Sequence, residues 1–208
     1  MVQGRVPDII VGRLPLYLRA LSRMQEAGKE VTSSQDLGTL LGISSAQIRK
    51  DLSQFGEFGK QGTGYNVAFL IAQLRRILQV ERVWNVALIG VGDLGRAIAN
   101  YGGFVDRGFR IVVAFESDAQ KIGQSVGTLV TQDMARLEQE VQGRGIRLAM
   151  LAVPAAAAQD VTDRLVACGV RGILCYAPTS ISVPAGVQVR YTDPVLHLQH
   201  MTFYFAPD

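Results

Sequence analysis

Residues 84–100, WNVALIGVGDLGRAIAN, decide the fold of this chain. The short apolar run 86–89 leads into Gly90-x-Gly92-x-x-Gly95, and a helical pattern rich in Ala and Ile follows. Strand, glycine loop and helix in this order predict a dinucleotide-binding unit, in which backbone N–H groups at the helix start face a pyrophosphate. An ordinary structural turn is the alternative, because a GxGxxG match alone is weak. The predicted loop contacts are Gly90, Val91, Gly92, Asp93, Leu94 and Gly95.

An acidic residue at the end of the next apolar run strengthens this prediction. Residues 110–116, RIVVAFE, indicate a second strand that ends in Glu116, 21 residues after Gly95. A carboxylate at this place accepts hydrogen bonds from the ribose hydroxyls and repels a 2′-phosphate. The sequence therefore predicts NADH/NAD⁺ as ligand in preference to the NADP forms.

Strands continue to alternate with helices after Glu116. Residues 147–153, 171–178 and 187–191 indicate strands, whereas residues 133–141 and 155–168 indicate helices. This alternation predicts an α/β fold with a Rossmann-type parallel sheet and right-handed crossovers. Ligands of such sheets lie at the carboxyl ends of the strands, which adds Val153, Pro154, Ala177 and Pro178 to the candidate pocket. Tyr101, after the fingerprint helix, is either a pocket residue or a half-buried structural tyrosine.

The N-terminal part of the chain carries a second signal, VTSSQDLGTLLGISSAQIRKDLSQFG at residues 31–56. Ser33 or Ser34 can cap a first helix, Gly42 permits a sharp turn, and Ser44 with Gln47 predicts a capping box on a second helix. Two short helices joined by a glycine turn predict a helix-turn-helix. The side chains of the second helix that suit base edges and phosphates in a major groove are Ser45, Gln47, Arg49, Lys50 and Ser53.

The segment GEFGKQGTGYNV, residues 56–67, predicts a tight β-hairpin. Such a wing would carry Lys60 and Gln61 to a phosphate or a minor groove. An earlier helix has apolar positions at Ile10, Leu14, Leu18 and Leu21, and Pro15 is expected to bend or break it. A helix-turn-helix followed by a wing predicts DNA binding, with a small interaction domain as the alternative.

The distribution of charge agrees with a nucleic-acid partner for the first part of the chain. Residues 1–82 carry 11 Lys and Arg against 7 Asp and Glu, whereas residues 83–208 carry 10 against 11. A boundary at residues 79–83 predicts a winged-helix domain over 1–80 and a Rossmann NAD(H)-binding domain over 83–191. Residues 193–208 then form a C-terminal dimerisation helix, apolar nearly all round, that must be buried on its own sheet or in a partner subunit.

Several other classes of function are disfavoured. Cys168 and Cys175 give neither a disulfide framework nor a metal-ligand spacing, so buried thiols are favoured over a thiol switch. His197 and His200 have no other ligand candidates nearby, and no metal site is predicted. The apolar runs are too short for a membrane helix and no signal sequence opens the chain, which predicts a cytoplasmic protein.

The chain resembles the Rex family of redox-sensing transcriptional repressors along nearly its whole length. Four motifs together carry the resemblance: RLPLYLRAL at 13–21, QIRKDLSQFGEFGKQGTGYNV at 47–67, GVGDLG at 90–95 and YTDPV at 191–195. The resemblance implies a homodimer in which winged helices bind a palindromic operator on double-stranded DNA and Rossmann domains sense the NADH/NAD⁺ ratio. It further implies repression at low NADH, release when NADH binds, and a C-terminal helix swapped between subunits.

The same resemblance implies roles for individual residues. Tyr101 matches a tyrosine on the nicotinamide side, while Arg19 and Asp193 match a pair that exchanges partners between the two states. Gly90, Gly92, Gly95 and Glu116 match the dinucleotide site. The residues that match the DNA-reading parts are Arg49, Lys50 and Ser53 on the recognition helix and Lys60 and Gln61 on the wing.

This sequence departs from the family pattern at three places. Glu116 stands where Asp is usual, which keeps the carboxylate but places it on a longer side chain. Cys175-Tyr176 stands where Asn-Phe is common, so a polar contact of that Asn is lost or moved. Pro194 follows Asp193 where an apolar residue is frequent, which affects part of the nicotinamide contact.

Two rival functions follow from the residues alone. An NAD-dependent dehydrogenase needs a general acid or base beside the nicotinamide, but both histidines lie in the apolar terminal helix and Lys121 is the only lysine after residue 60. The second rival is a nucleotide-binding scaffold or CoA-binding subunit, but this class of protein does not explain the helix-turn-helix and wing. The sequence therefore favours a regulator over an enzyme.

Overall fold

The computed structural model describes residues 6–59 and 63–205 of the chain. The chain divides into two compact units, residues 1–82 and 83–208. The described residues of the first unit form helices α1 (Asp8–Glu26), α2 (Ser34–Leu41), α3 (Ser45–Ser53) and α4 (Val67–Ile77), with the short strands β1 (Val31–Thr32) and β2 (Tyr65–Asn66). The second unit is an α/β domain.

The other helices of the first unit pack around helix α1. Its fully buried stripe is Leu14, Tyr17 and Leu21, spaced by three and four residues as a helix requires. Leu18 was predicted on this stripe, but it is only half-buried. Pro15 lies inside α1 and does not interrupt it, so of the two predicted effects, a bend or a break, the break is wrong. The proline ring is on the exposed side, where packing of the opposite face outweighs one lost backbone hydrogen bond.

Helices α2 and α3 form the predicted helix-turn-helix. Ser33 caps α2 in a full capping box with Asp36, and α2 ends at Gly42 in the left-handed conformation, φ 67°. Ser44 Oγ accepts the Gln47 N–H at 3.2 Å at the start of α3. The predicted capping box with Gln47 is wrong, however, because the Gln47 amide donates to Asp51 instead.

Part of the segment predicted as a wing is described, and its last strand pairs with an earlier strand. Strand β2 pairs antiparallel with β1, with Val31 opposite Asn66 and Thr32 opposite Tyr65. Residues 56–59 contain no strand, although a Cβ on Gly59 would lie 2.6 Å from the carbonyl oxygen of Gly64. Gly59 and Gly64, on either side of the predicted tip, therefore lie close together. The predicted tip residues Lys60 and Gln61 lie outside the described residues.

The second unit contains a seven-stranded sheet in the order β5-β6-β4-β3-β7-β8-β9. All neighbouring strands are parallel except β5, which is antiparallel to β6. Without that edge strand the order is the doubly wound one of dinucleotide-binding folds, and it reverses direction between β3 and β7. The strands are β3 (Trp84–Ile89), β4 (Phe109–Glu116), β5 (Ser125–Val126), β6 (Leu129–Asp133), β7 (Leu148–Leu151), β8 (Gly172–Cys175) and β9 (Gln188–Tyr191).

Helices cover both faces of this sheet. Alternate residues of β3 enter opposite cores, with Ala87 and Ile89 on one side and Val86 and Leu88 on the other. The predicted helix from Asp133 begins instead as a 3₁₀ turn, Met134–Arg136, because the Asp133 side chain caps that turn. The α-helices are α5 (Asp93–Asn100), α6 (Leu137–Gly143), α7 (Ala155–Ala167) and α8 (Pro194–Thr202), and a 3₁₀ helix spans Gly102–Arg107.

Helix α8 stays exposed within this single chain. Leu196, Leu198 and Phe203 expose 59%, 60% and 83% of their surface. The sequence required this apolar segment to be buried on its own sheet or in a partner, and the first of these alternatives is wrong.

Candidate functional site

The glycine loop joins β3 to α5 at the carboxyl edge of the sheet. Gly90 has φ 92°, and a Cβ there would collide with the carbonyl oxygen of Ala152 on the neighbouring strand end. A Cβ on Gly95 would collide with the carbonyl oxygen of Gly90, so this glycine brings α5 against the loop. A Cβ on Gly92, in contrast, would meet nothing within 4 Å. The backbone at Gly92 is therefore open to a close approach, which fits a diphosphate at the start of α5.

Glu116 folds back onto this loop. Its Oε2 accepts the Val91 N–H at 2.9 Å, and its Oε1 accepts the N–H groups of Ser117 and Asp118 at 2.7 and 3.2 Å. Burial alone would raise the pKa of Glu116, but the backbone hydrogen bonds and the charge of Lys121 outweigh it and hold this pKa below its ordinary value. The carboxylate is ionised at neutral pH and fixed in place, as recognition of ribose hydroxyls requires.

The remaining predicted pocket residues differ in exposure. Val91 and Ala177 are buried, with 1% and 4% of their surface exposed, so they can offer a ligand little beyond backbone atoms. Val153 is half-buried, and Pro154, Pro178, Asp93 and Leu94 are exposed. The strand ends that carry these residues are aligned by backbone hydrogen bonds from Ala152 N to Ile89 O and from Tyr176 N to Leu151 O. One edge of the sheet thus holds the loop, Glu116 and both Pro-containing ends.

The three predicted switch residues belong to different parts of the chain. Tyr101 ends α5 with half of its surface exposed, and its ring meets Phe104 edge-on at 5.1 Å between centroids. Asp193 caps α8, where its Oδ1 accepts the Val195 N–H at 2.9 Å. Arg19 is exposed on α1 in the other unit. The chain therefore presents these groups at surfaces or helix ends.

The cysteines and histidines offer no further chemistry. Burial raises the pKa of both Cys168 and Cys175, which disfavours the reactive thiolate. His197 and His200 are exposed on α8. Across residues 6–59 and 63–205, no cluster of His, Cys, Asp and Glu could hold a metal ion. Over the same residues, none of the helices is both long and apolar enough to cross a bilayer.

In the first unit, α3 presents a cationic surface. Arg49 and Lys50 are exposed, and Arg49 Nη1 donates to Ser34 Oγ on α2 at 2.9 Å. Ser53 Oγ donates to the Lys50 carbonyl at 2.9 Å, while Ser45 is half-buried in the first turn. Both exposed cations lie on the helix that a helix-turn-helix places in the major groove.

A buried carboxylate that sequence reasoning missed anchors this helix. Asp51, with no exposed surface, accepts two hydrogen bonds from Arg13, at 2.6 and 2.7 Å. Tyr17 Oη donates to it at 2.6 Å and Gln47 Nε2 at 2.7 Å. One signal was present in the sequence: Asp51 shares a helix face with Ile48 and Leu52, and an acid on an apolar face needs a buried partner.

The protonation of this network follows from its contacts. Burial alone would raise the pKa of Asp51, but hydrogen bonds from Arg13, Tyr17 and Gln47 outweigh it and hold the pKa below its ordinary value. Burial, together with the negative charge of Asp51, raises the pKa of Tyr17, so the phenol stays protonated. Because the folded-state pKa of Asp51 is depressed, its stabilisation is complete above about pH 4 and is lost as pH falls through the folded value.

A helix-turn-helix with a cationic recognition helix, on the same chain as a dinucleotide-type glycine loop, defines a ligand-responsive DNA-binding protein. The comparisons with known proteins agree. A family model described as "Putative DNA-binding protein N-terminus" matches residues 5–53, and one described as "CoA binding domain" matches residues 81–179.

Full-length relatives make the assignment specific. The redox-sensing transcriptional repressor Rex of Roseiflexus sp. (strain RS-1) is 52% identical over 202 residues, which cover 97% of this chain and 92% of the relative. The repressor of the same name from Streptomyces coelicolor is 43% identical and covers 96% of this chain and 77% of its own length. The chain belongs to the Rex family of redox-sensing transcriptional repressors.

Solved structures agree with this family. The Rex-family repressor RSP in complex with β-NAD⁺ and operator DNA superimposes with a TM-score of 0.90 at 32% identity, over 95% of this chain and 91% of that one. RSP in complex with β-NADH gives a TM-score of 0.88 at 30% identity, over 96% and 94%. The α/β fold with an N-terminal winged helix-turn-helix and a Rossmann-type sheet is thereby confirmed.

We expect Arg13→Met to destabilise the first unit by about 3–5 kcal/mol, because it leaves the buried Asp51 charge without its cation. Arg23→Met, at an exposed position of the same helix, is the control and should change stability by less than about 0.5 kcal/mol. Hydrogen exchange of the α3 amides measures the effect. Trp84, the only tryptophan, lies in the second unit. Its fluorescence should show that the stability of this unit is the same in both variants. Equal exchange rates in the two variants would contradict a structural role for the ion pair.

Proposed function

We propose that this protein is a transcriptional repressor that binds palindromic operator DNA when NADH is scarce and leaves it when NADH binds, so that it responds to the NADH/NAD⁺ ratio. The observation that carries the proposal is one chain that joins the two sites, α3 with Arg49 and Lys50, and the glycine loop with Glu116. The names of the full-length relatives support it, as do the complexes of RSP with NADH and with NAD⁺ plus operator DNA.

In this proposal the second unit binds the dinucleotide along the carboxyl edge of its sheet. The open backbone at Gly92 and the start of α5 hold the pyrophosphate, and Glu116 accepts hydrogen bonds from the adenosine ribose. Val153-Pro154 and Ala177-Pro178 border the pocket. Bound nicotinamide supplies a ring whose charge and shape change on reduction, and Tyr101, Asp193 and Arg19 are the chain's candidates for sensing that change.

The first unit contacts DNA through α3 and the wing. Arg49 and Lys50 are the exposed cations of α3, and Lys60 and Gln61 are proposed as wing contacts from their place in the sequence. Ser45, Gln47 and Ser53 complete the proposed DNA-reading set. Lys50 is proposed to neutralise phosphate, a contact that strengthens binding to any sequence, whereas Gln47 and Arg49 are proposed to discriminate between bases.

The repressor acts as a homodimer whose α8 helices are exchanged. Leu196, Leu198 and Phe203 are all exposed on α8 or at its end, and clustered exposed apolar side chains mark an interaction surface, which a second copy of this chain would match by symmetry. A palindromic operator requires the same two-fold symmetry. As a regulator of transcription the protein acts in the cytoplasm, where bacterial DNA is, and it catalyses no reaction.

A CoA ligand is the alternative that the second family model raises. CoA also carries an adenosine, but its ribose bears a phosphate. The fixed, ionised carboxylate of Glu116 beside the ribose position repels such a phosphate, so the same site favours NAD(H).

The central test is binding to a fluorescent palindromic duplex that the protein itself selects from a randomised pool. We expect saturating NADH to weaken binding by at least tenfold, while NAD⁺ leaves it unchanged or strengthens it. CoA should have no effect at the same concentration. Equal affinities in NADH and NAD⁺ would refute redox sensing, and release by CoA alone would replace the proposed ligand.

Glu116→Ala should weaken NADH binding by about 10- to 100-fold, because it removes a charged hydrogen-bond acceptor from the ribose. NADPH binding should weaken less or improve, since the repulsion of a 2′-phosphate is gone. Titration of nicotinamide fluorescence measures both ligands. Asp118→Ala is the matched control, because this half-buried carboxylate caps its own turn and pairs with Lys121. An unchanged NADH/NADPH preference in Glu116→Ala would exclude Glu116 from ribose recognition.

Leu198→Asp should shift the protein from dimer to monomer in light scattering, because a charge in the proposed helix-exchange interface is left desolvated. Operator affinity should fall by at least tenfold, since a monomer meets only one half-site. Gln199→Asp adds the same charge at the next, already polar position of α8 and serves as the control. A dimeric Leu198→Asp variant with full operator affinity would contradict a dimer built on α8.

A further inference from the structure

The orientation of one side chain on α3 is fixed before any DNA arrives. Gln47 is the third residue of α3, in the part of a recognition helix that faces base edges. Its Nε2 donates to Asp51 Oδ1 at 2.7 Å, one helical turn further along. An ionised carboxylate only accepts hydrogen bonds, so the amide must turn its NH₂ group toward Asp51 and its Oε1 away from it.

Asp51 cannot turn to meet another partner. Oδ1 accepts from Arg13 Nη2 and Gln47 Nε2, and Oδ2 accepts from Arg13 Nε and Tyr17 Oη. These four bonds use the roughly four acceptor positions of a carboxylate. Because Asp51 has no exposed surface, it does not reach DNA itself, and its influence on DNA passes through the side chain of Gln47.

We propose that Asp51, held by Arg13 and Tyr17, is a positioning residue that fixes the Gln47 amide to read an adenine in the major groove. The second N–H of Nε2 and the free Oε1 form a donor and acceptor pair that complements N7 and the N6 amino group of adenine. Guanine presents acceptors at both N7 and O6, so the fixed Oε1 would face a second acceptor. The inference rests on the proposed function, since it requires α3 to enter a major groove.

Preorganisation is the advantage of this arrangement. A free glutamine can flip its amide and present either end to a base, and it loses rotamer freedom when it binds. Gln47 has already lost that freedom on folding, and only one amide orientation is compatible with its neighbour. Discrimination between A·T and G·C is therefore built into the free protein.

The test is a double-variant cycle with duplexes. The wild-type protein selects its operator from a randomised pool, and each A·T pair is then replaced by G·C symmetrically in both half-sites. Gln47→Ala should reduce discrimination at one such pair by about 5- to 100-fold. Asp51→Asn, nearly the same size but able to offer either end of an amide to Gln47, should reduce discrimination at the same pair by a similar factor. The double variant should lose no more than Gln47→Ala alone.

Two results would overturn the proposal. One is an Asp51→Asn variant that weakens binding to every duplex by the same factor, which is the behaviour of a purely structural residue. The other is a further loss of discrimination when Asp51→Asn is added to Gln47→Ala. If Asp51→Asn fails to fold, the side-chain amide of Gln47 in the full-length wild type decides by NMR. It should be rigid relative to that of exposed Gln54, and equal mobility of the two would refute the proposal.

Failure here is distinguishable from failure of the proposed function. A Gln47→Ala protein that keeps full discrimination at every pair, and is still released by NADH, removes the positioning role and leaves the redox repressor intact. A protein that discriminates at the predicted pair but is not released by NADH supports the positioning role and refutes the redox repressor.

Discussion

The first unit depends on one carboxylate that has been removed from water. Burying an ionised group costs several kcal/mol, and it is tolerated only when charge and hydrogen bonds are supplied in the right geometry. Asp51 receives both from Arg13, with Tyr17 and Gln47 filling the remaining positions. Apolar packing between α1 and α3 is not directional, whereas this ion pair is. The Asp51 contacts, together with the buried Ile48 and Leu52, therefore fix the rotation of α3 about its own axis, and with it the set of side chains that α3 exposes.

A different constraint governs the second unit. The central strands β3 and β7 are buried on both faces, so they can expose functional groups only at their ends. The reversal of strand order between β3 and β7 keeps the crossover helices apart at one edge, and the glycine loop occupies that opening. Glu116 then binds the Val91 N–H of the loop, which links the ends of two strands. The longer arm of Glu relative to Asp fits this contact, because it lets a residue at the end of β4 reach back to the loop.

The sequence predicted best what depends on local pattern. Periodicity and glycine spacing were enough for the helix-turn-helix, the glycine loop and the alternation of strands and helices. The pairing of β2 with β1, more than 30 residues earlier, was not predicted, because no local pattern reveals a distant partner. Asp51 was missed because an acid in a run of polar residues is usually solvated. Its burial depends on Arg13 and Tyr17, which lie on another helix and become neighbours only after folding.

The α3 surface and the glycine-loop site are each formed within one unit. NADH binding at the glycine loop therefore does not require the α3 surface to rearrange. The Asp51 contacts lie within the first unit, so in the proposed function the reduced cofactor acts on how the two recognition helices of the dimer are placed. The groups proposed to carry the effect of NADH to the recognition helices are not buried within a single chain. They are Tyr101, Arg19, and α8 with its cap Asp193. A ligand shifts an equilibrium only by its difference in affinity for the two states. If the proposed dimer binds two molecules of NADH, about a tenfold preference at each site gives about a hundredfold change in DNA affinity. Tenfold corresponds to about 1.4 kcal/mol, which is no more than one charged hydrogen bond contributes. In the proposed function, exchange of a single partner by Arg19 or Asp193 at each site would therefore be enough for the switch.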